Sequence, residues 1–184
     1  MLSGRRLDLA NPDPKDIEIE DIAHGLCRVA RWNGQTIGDH PFTVAQHSLL
    51  VEEIFHAQND NASDNERMAA LLHDAAEYVI GDMISPFKAV LGADYKDFED
   101  RLQQSIHKRF GLPEALPEAL KVAIKDADKV AAWIEATQLA GFGEDEALDI
   151  FGPKPESFSH ISLEPADTKA LKIDFIKRYN AITS

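Results

Sequence analysis

The sequence predicts an all-α fold, built as a single helical bundle. Apolar residues recur at three- and four-residue spacing in one stretch after another, and helix start and stop signals bracket those stretches. Little strand-like alternation, no internal repeat and no low-complexity tract interrupt the pattern. With 184 residues, 44% hydrophobic and 28% charged, the chain has the composition of one soluble domain with an ordinary core.

The elements follow in order. Met1 to Lys15 is short and polar, and Asn11-Pro12-Asp13-Pro14 is a breaker. Ile19, Ile22, Ala23, Leu26 and Val29 space out a first helix, which runs into a tight turn at Arg31-Trp32-Asn33-Gly34 and a loop to Pro41. Thr43 caps a second helix reaching Phe55, with Val44, His47, Leu50, Val51 and Ile54 along its inner side. After a polar linker, Ser63 and Glu66 form a capping box for a helix carrying Met68, Leu71, Leu72, His73, Asp74 and Glu77, stopped at Gly81-Asp82. Ser85 is expected to cap a short helix over Phe87 to Leu91, with Pro86 at its first position. Tyr95, Phe98, Leu102, Ile106 and Phe110 mark the next helix, and Leu120, Ile124, Ala127, Ala131, Ile134 and Gln138 a long one ended by Gly141. Gly143 to Pro155 holds one short helix at most, and a last amphipathic helix spans about 165–182.

Charge narrows the function. The 19 Lys and Arg against 32 Asp and Glu leave a net charge of −13, which repels polyanions and argues against a nucleic-acid polymer as partner. A small anionic substrate is compatible, because a metal and a buried arginine reverse the sign locally. No apolar run approaches the ~20 residues of a membrane span. The single Cys27 forbids an intramolecular disulfide and fits a cytoplasmic protein.

Within Leu71–Tyr78, read as one continuous helix, His73 and Glu77 share a face and Asp74 is the neighbour. Three helices then each present a ligand-type residue inward: His47, the His73-Asp74 pair, and Asp128 beside Ala127 and Ala131. Two imidazoles and two carboxylates make a mixed N/O set suited to one divalent transition metal (Co, Mn, Fe, Ni or Zn) with open positions.

These residues resemble a known family, the HD-domain metal-dependent phosphohydrolases, named for the paired His73-Asp74 motif. The resemblance runs from about Asp21 to Gln138 and is closest to the bacterial YfbR-like 5′-deoxynucleotidases and similar small HD hydrolases. It is carried by Arg31-Trp32, Val44-Ala45-Gln46-His47-Ser48, His73-Asp74-Ala75-Ala76-Glu77, Gly81-Asp82 with Pro86 and Lys88, and Asp126-Ala127-Asp128-Lys129. It implies one HD phosphohydrolase domain over 1–184, with the motifs within 21–140 and the C-terminal helix packed on them. It also implies that His47, His73, Asp74 and Asp128 hold the metal, that Glu77 handles a proton and that Arg31 binds the phosphate. Trp32 then crowds the sugar 2′ position, and Asp82 accepts from the 3′-hydroxyl. Lys88 is read as part of a solvated helix face. Gln46 departs from the family, where an acid is common, and the 33–42 segment differs as well. The implied reaction is hydrolysis of the 5′ phosphoester of deoxyribonucleoside monophosphates. Release of triphosphate from deoxynucleotides, alarmone hydrolysis and a non-catalytic nucleotide-binding module are the alternatives. Similar HD nucleotidases tend to be homodimers, to which the helix bearing Tyr95, Phe98 and Phe110 could contribute.

Overall fold

The computed structural model describes the backbone of residues 1–184 and every side chain except those of Ser85, Pro86 and Ala89. The helices are α1 (Ile19–Leu26), α2 (Val44–Gln58), α3 (Asp64–Leu71), α4 (Glu77–Ile80), α5 (Ser85–Leu91), α6 (Ala93–Arg109), α7 (Glu118–Gln138), α8 (Glu144–Phe151) and α9 (Thr168–Thr183), with short 3-10 turns at 14–16, 32–34 and 156–158. Among the described residues there is no strand, only an isolated antiparallel bridge between Ala30 and Thr43. The chain is all-α, as its periodicity predicts.

Local chemistry sets the helix ends. Thr43 Oγ1 accepts from Gln46 N at 3.4 Å to open α2, and Ser63 and Glu66 form the expected reciprocal capping box on α3. Asp167 accepts from Lys169 N and Ala170 N, starting α9 slightly later than its apolar pattern suggests. Helix α1 stops at Leu26 rather than reaching Val29, because Val29 to Arg31 peel off to pair with the chain before α2. There Arg31 N donates to Phe42 O at 2.8 Å and Val44 N to Val29 O at 3.0 Å. Helix α5 begins at Ser85, whose expected capping side chain lies outside the described residues.

The core is one contiguous apolar cluster in which α2 packs on α3 and α7, while α9 lies across α1, α2 and α3. Phe42, Phe55, Ile54, Leu71, Leu72 and Phe175 are essentially sealed, each contributing about 1.5–3 kcal/mol through burial. Glu52 on α2 is buried between Arg67 of α3 and Arg178 of α9, so one carboxylate ties three helices together.

The expectation of one helix running from Ser63 through Glu77 is corrected. Helix α3 ends at Leu71, and Leu72 to Ala76 form a tight, overwound connection into α4. Its backbone bonds span three residues: Ala75 N to Leu72 O at 3.0 Å, Glu77 N to Asp74 O at 3.0 Å, and Tyr78 N to Ala75 O at 3.1 Å. Winding at three residues per turn advances about 120° per residue, so His73 and Glu77 no longer superpose. Two tertiary contacts hold this turn. Gln103 on α6 accepts from Ala76 N at 3.1 Å and donates to Leu72 O at 2.7 Å. Helix α4 also presses against α1 at Gly25, where a Cβ would meet Tyr78 O at 2.7 Å and Tyr78 Cβ at 2.8 Å.

Candidate metal centre

The turn between α3 and α4 carries His73 and Asp74 toward His47 on α2 and Asp128 on α7. Among the described residues, His47, His73 and Asp128 bring one donor atom each within 4.8 Å of one another. Asp74 joins them: its Oδ2 lies 3.5 Å from His47 Nε2 and 3.2 Å from His73 Nε2, while Asp128 Oδ1 lies 3.2 Å from His47 Nε2. Three separate elements therefore bring His47, His73 and Asp128 together, with Asp74 beside the two imidazoles.

The chemistry of this cluster suits a divalent cation. Both Nε2 atoms are buried and, among the described residues, neither has a hydrogen-bond partner, although carboxylate oxygens stand near them. The opposite ring nitrogens are occupied. His73 Nδ1 donates to Ala70 O at 2.9 Å, and His47 Nδ1 faces Glu135 Oε1 at 2.6 Å. Unpartnered buried nitrogens are costly unless something binds them. Lys125 Nζ holds the outer oxygen of Asp128 at 2.6 Å, which leaves Oδ1 for the centre. Burial raises the carboxyls of Asp74 and Asp128, but the two imidazoles outweigh it and hold both below the ordinary carboxylate range.

A second group flanks this cluster. The Arg31 guanidinium is mostly buried, with Nη1 4.0 Å from Asp82 and Nη2 3.2 Å from Glu135. Burial alone would lower its pKa; Glu135, Asp74, Asp82 and Asp128 together raise it, so the charge is secure. Glu77 is almost fully buried, and its Oε2 has no partner among the described residues. Burial, then the charges of Asp74 and Asp82, push its carboxyl up to about 9. Burial likewise raises Asp82. Lys88 is not on a solvated face: it reaches inward, 3.8 Å from Glu77 and 2.8 Å from Glu99. A cavity of about 450 Å³ opens beside the centre, running from His73, Asp74 and Asp128 to Gln103, His107 and Lys121. That volume lies in the range of small-molecule sites.

Trp32 takes an unusual conformation. It and Asn33 have φ of 56° and 51°, a left-handed geometry that costs a bulky residue free energy and concentrates at functional sites. The indole packs against Phe142 and Phe151, with centroids 5.5 and 6.0 Å away, and donates from Nε1 to Glu135 Oε2 at 2.9 Å. Gln46, the departure before His47, is turned away from the centre. It donates to Glu164 O at 2.9 Å and accepts from Ala166 N at 3.1 Å, pinning the approach to α9.

The match of the YfbR-like 5′-deoxynucleotidase family model to residues 24–157 covers every one of these side chains. The chain belongs to that family. It is similar to the uncharacterized protein RCAP_rcc00048 of Rhodobacter capsulatus, with 54% identity over 99% of this chain and 93% of that protein. It is also similar to the uncharacterized protein YfdR of Escherichia coli, with 27% identity over 98% of this chain and 93% of that one. The YfbR-like family consists of hydrolases of the HD type, which use divalent metals and act on small nucleotides. Among the described residues of this YfbR-like chain, no helix is long and apolar enough to cross a membrane.

Sequence reasoning missed two residues of this YfbR-like site. Glu135 is a buried carboxylate touching His47, Arg31 and Trp32. It stands two helical turns after Asp128, alone among Ala131, Trp133, Ile134 and Ala136, and that isolation was a readable signal. Gln103 fixes the backbone of the His73-Asp74 turn, and nothing in its local sequence marks it. His107 is buried beside it and receives a hydrogen bond from Gln103 Nε2 at 3.0 Å.

Proposed function

We propose that the protein is a metal-dependent 5′-deoxynucleotidase, converting deoxyribonucleoside 5′-monophosphates and water to nucleoside and phosphate. One observation carries this reading. Two imidazole nitrogens, unpartnered among the described residues, converge with Asp74 and Asp128 beside a buried arginine and a buried glutamate whose carboxyl is pushed upward. In this reading His47, His73, Asp74 and Asp128 hold one divalent ion (Co, Mn, Fe, Ni or Zn). Such an ion supplies Lewis acidity toward a phosphoryl oxygen and toward the water that attacks phosphorus.

The remaining roles fall to side chains of this chain. Arg31 offers a forked cation to the phosphoryl oxygens and offsets the charge that builds as the phosphorus–oxygen bond to the sugar breaks. Glu77, whose carboxyl is pushed up by burial and by the charges of Asp74 and Asp82, delivers a proton to the departing 5′-oxygen, completing the nucleoside. Asp82, 4.0 Å from Arg31, accepts from the sugar 3′-hydroxyl. Trp32, held rigidly by Glu135, Phe142 and Phe151, closes the space a 2′-hydroxyl would need. We place the enzyme in the cytoplasm, where its lone, buried Cys27 stays a free thiol, and we expect a homodimer.

A second reading, release of triphosphate from deoxynucleoside triphosphates, is favoured by Lys96, Lys121 and Lys125 along the cavity. A panel of ribo- and deoxynucleoside mono- and triphosphates, incubated with Mn²⁺- or Co²⁺-loaded protein, separates the two. Phosphate from deoxy monophosphates, with ribonucleotides left intact, is the expected result. Equal turnover of ribonucleotides would remove Trp32 as a sugar gate, and triphosphate as product would favour the second reading. Silence across the panel with metal bound would point to a binding module.

A further inference from the structure

The carboxylate of Glu135 touches both halves of the site. It is fully buried on α7, two turns beyond Asp128, and its two oxygens are divided between two tasks. Oε1 lies 2.6 Å from His47 Nδ1. Oε2 accepts from Trp32 Nε1 at 2.9 Å, Arg31 Nη2 at 3.2 Å and Arg31 Nε at 3.3 Å. We propose that Glu135 is a positioning residue that fixes which nitrogen of His47 faces the metal centre and, through its other oxygen, where Arg31 and Trp32 stand. This rests on the metal-centre reading above.

The argument is one of donors and acceptors. An ionised carboxylate only accepts, so His47 Nδ1 must carry the ring hydrogen. In the neutral imidazole, the form that binds a metal, Nε2 then keeps its lone pair, and it is this nitrogen that lies 3.2 Å from Asp128 and 3.5 Å from Asp74. A carboxylate behind a metal-binding imidazole fixes its tautomer and its orientation and raises its basicity. His73 obtains the same tautomer from the Ala70 carbonyl, a neutral backbone group, so Glu135 is the charged member of the pair. At the other oxygen, three N–H groups from consecutive residues converge. The arm bearing Arg31 and Trp32 is thereby indexed to the same helix as Asp128, despite its left-handed backbone at Trp32 and Asn33.

Glu135→Gln separates this role from simple charge balance, because the amide keeps the shape but has one acceptor oxygen. Three donors meet at the Oε2 position, so the amide oxygen takes that side and its NH₂ turns to His47. Nδ1 must then accept, the ring hydrogen moves to Nε2, and the nitrogen facing the centre loses its lone pair. The test is calorimetric titration of Co²⁺ into wild-type and Glu135→Gln protein, with the visible Co²⁺ bands recorded alongside. We expect a Co²⁺ affinity about 10–100-fold weaker and altered bands, with circular dichroism unchanged. Equal affinity and identical bands in the two proteins would overturn the role of Glu135 alone. Failure of the wild type to bind Co²⁺ would overturn the metal centre itself, and this inference with it. Should the variant not fold, nitrogen-15 correlation spectra of Zn²⁺-loaded wild type decide the matter. A deshielded, slowly exchanging hydrogen on Nδ1 of His47 is expected, and a ring hydrogen on Nε2 would refute it.

Discussion

Replacing Gln103 with alanine tests whether the turn that carries His73 and Asp74 is held from outside. The side-chain amide satisfies two backbone groups, Leu72 O at 2.7 Å and Ala76 N at 3.1 Å, on residues that are themselves sealed from solvent. Each buried group left without a partner costs about 1–3 kcal/mol. Gln103 lines the cavity, so water can enter and recover part of this, which places the loss at about 2–4 kcal/mol. For a chain of this length that is a fall in Tm of about 4–16 °C. Urea unfolding gives the number directly, provided the slope against denaturant is unchanged. A loss below about 0.5 kcal/mol would refute the claim that α6 holds the turn. The turn would then be fixed by its own sequence.

Three further outcomes follow from the same geometry. Gly25→Ala drives a Cβ into the backbone and Cβ of Tyr78, and should destabilise by about 1–3 kcal/mol in the same urea assay; a neutral result would mean α1 and α4 separate freely. Burial lowers the pKa of His107 from its ordinary 6.5, so the unfolded chain takes up a proton first as the solution is acidified. The stability tied to His107 is therefore full above pH 6.5 and lost as pH falls through the folded value, and His107→Leu should show a shallower decline between pH 6.5 and 5 in thermal melts. Glu77→Gln should abolish phosphate release while Co²⁺ affinity stays within threefold of wild type. Turnover at the wild-type rate would remove Glu77 from the chemistry.

Much of this architecture is written locally. The capping box at Ser63 and Glu66, the Thr43 cap and the apolar spacing of the long helices are near-neighbour effects, and all of them form. The inward faces of α2 and α7 also follow from periodicity, which is why the sequence alone pairs His47 and Asp128 with His73-Asp74. The break at Leu72 to Ala76 could not be read. Leucine, alanine and glutamate are good helix formers, so propensity points to continuation, and the groups that contact the changed winding and the helix after it, Gln103 and Gly25, reach them from distant elements. The left-handed backbone at Trp32 is equally invisible, since its compensation comes from Glu135, 103 residues away. Glu135 was legible in principle. A lone carboxylate at two-turn spacing from a candidate ligand, inside an apolar helix face, is a pattern that asks for a buried partner.

The most direct test of the account is phosphate release from a deoxyribonucleoside 5′-monophosphate, followed while metal-stripped protein is titrated with Co²⁺, for wild type and His73→Ala. Activity that rises to a plateau at one equivalent of Co²⁺ in the wild type, and stays absent in the variant, is the predicted result. Undiminished activity in the metal-stripped protein, or an equal plateau in His73→Ala, would contradict the assignment of this cluster as the reaction centre.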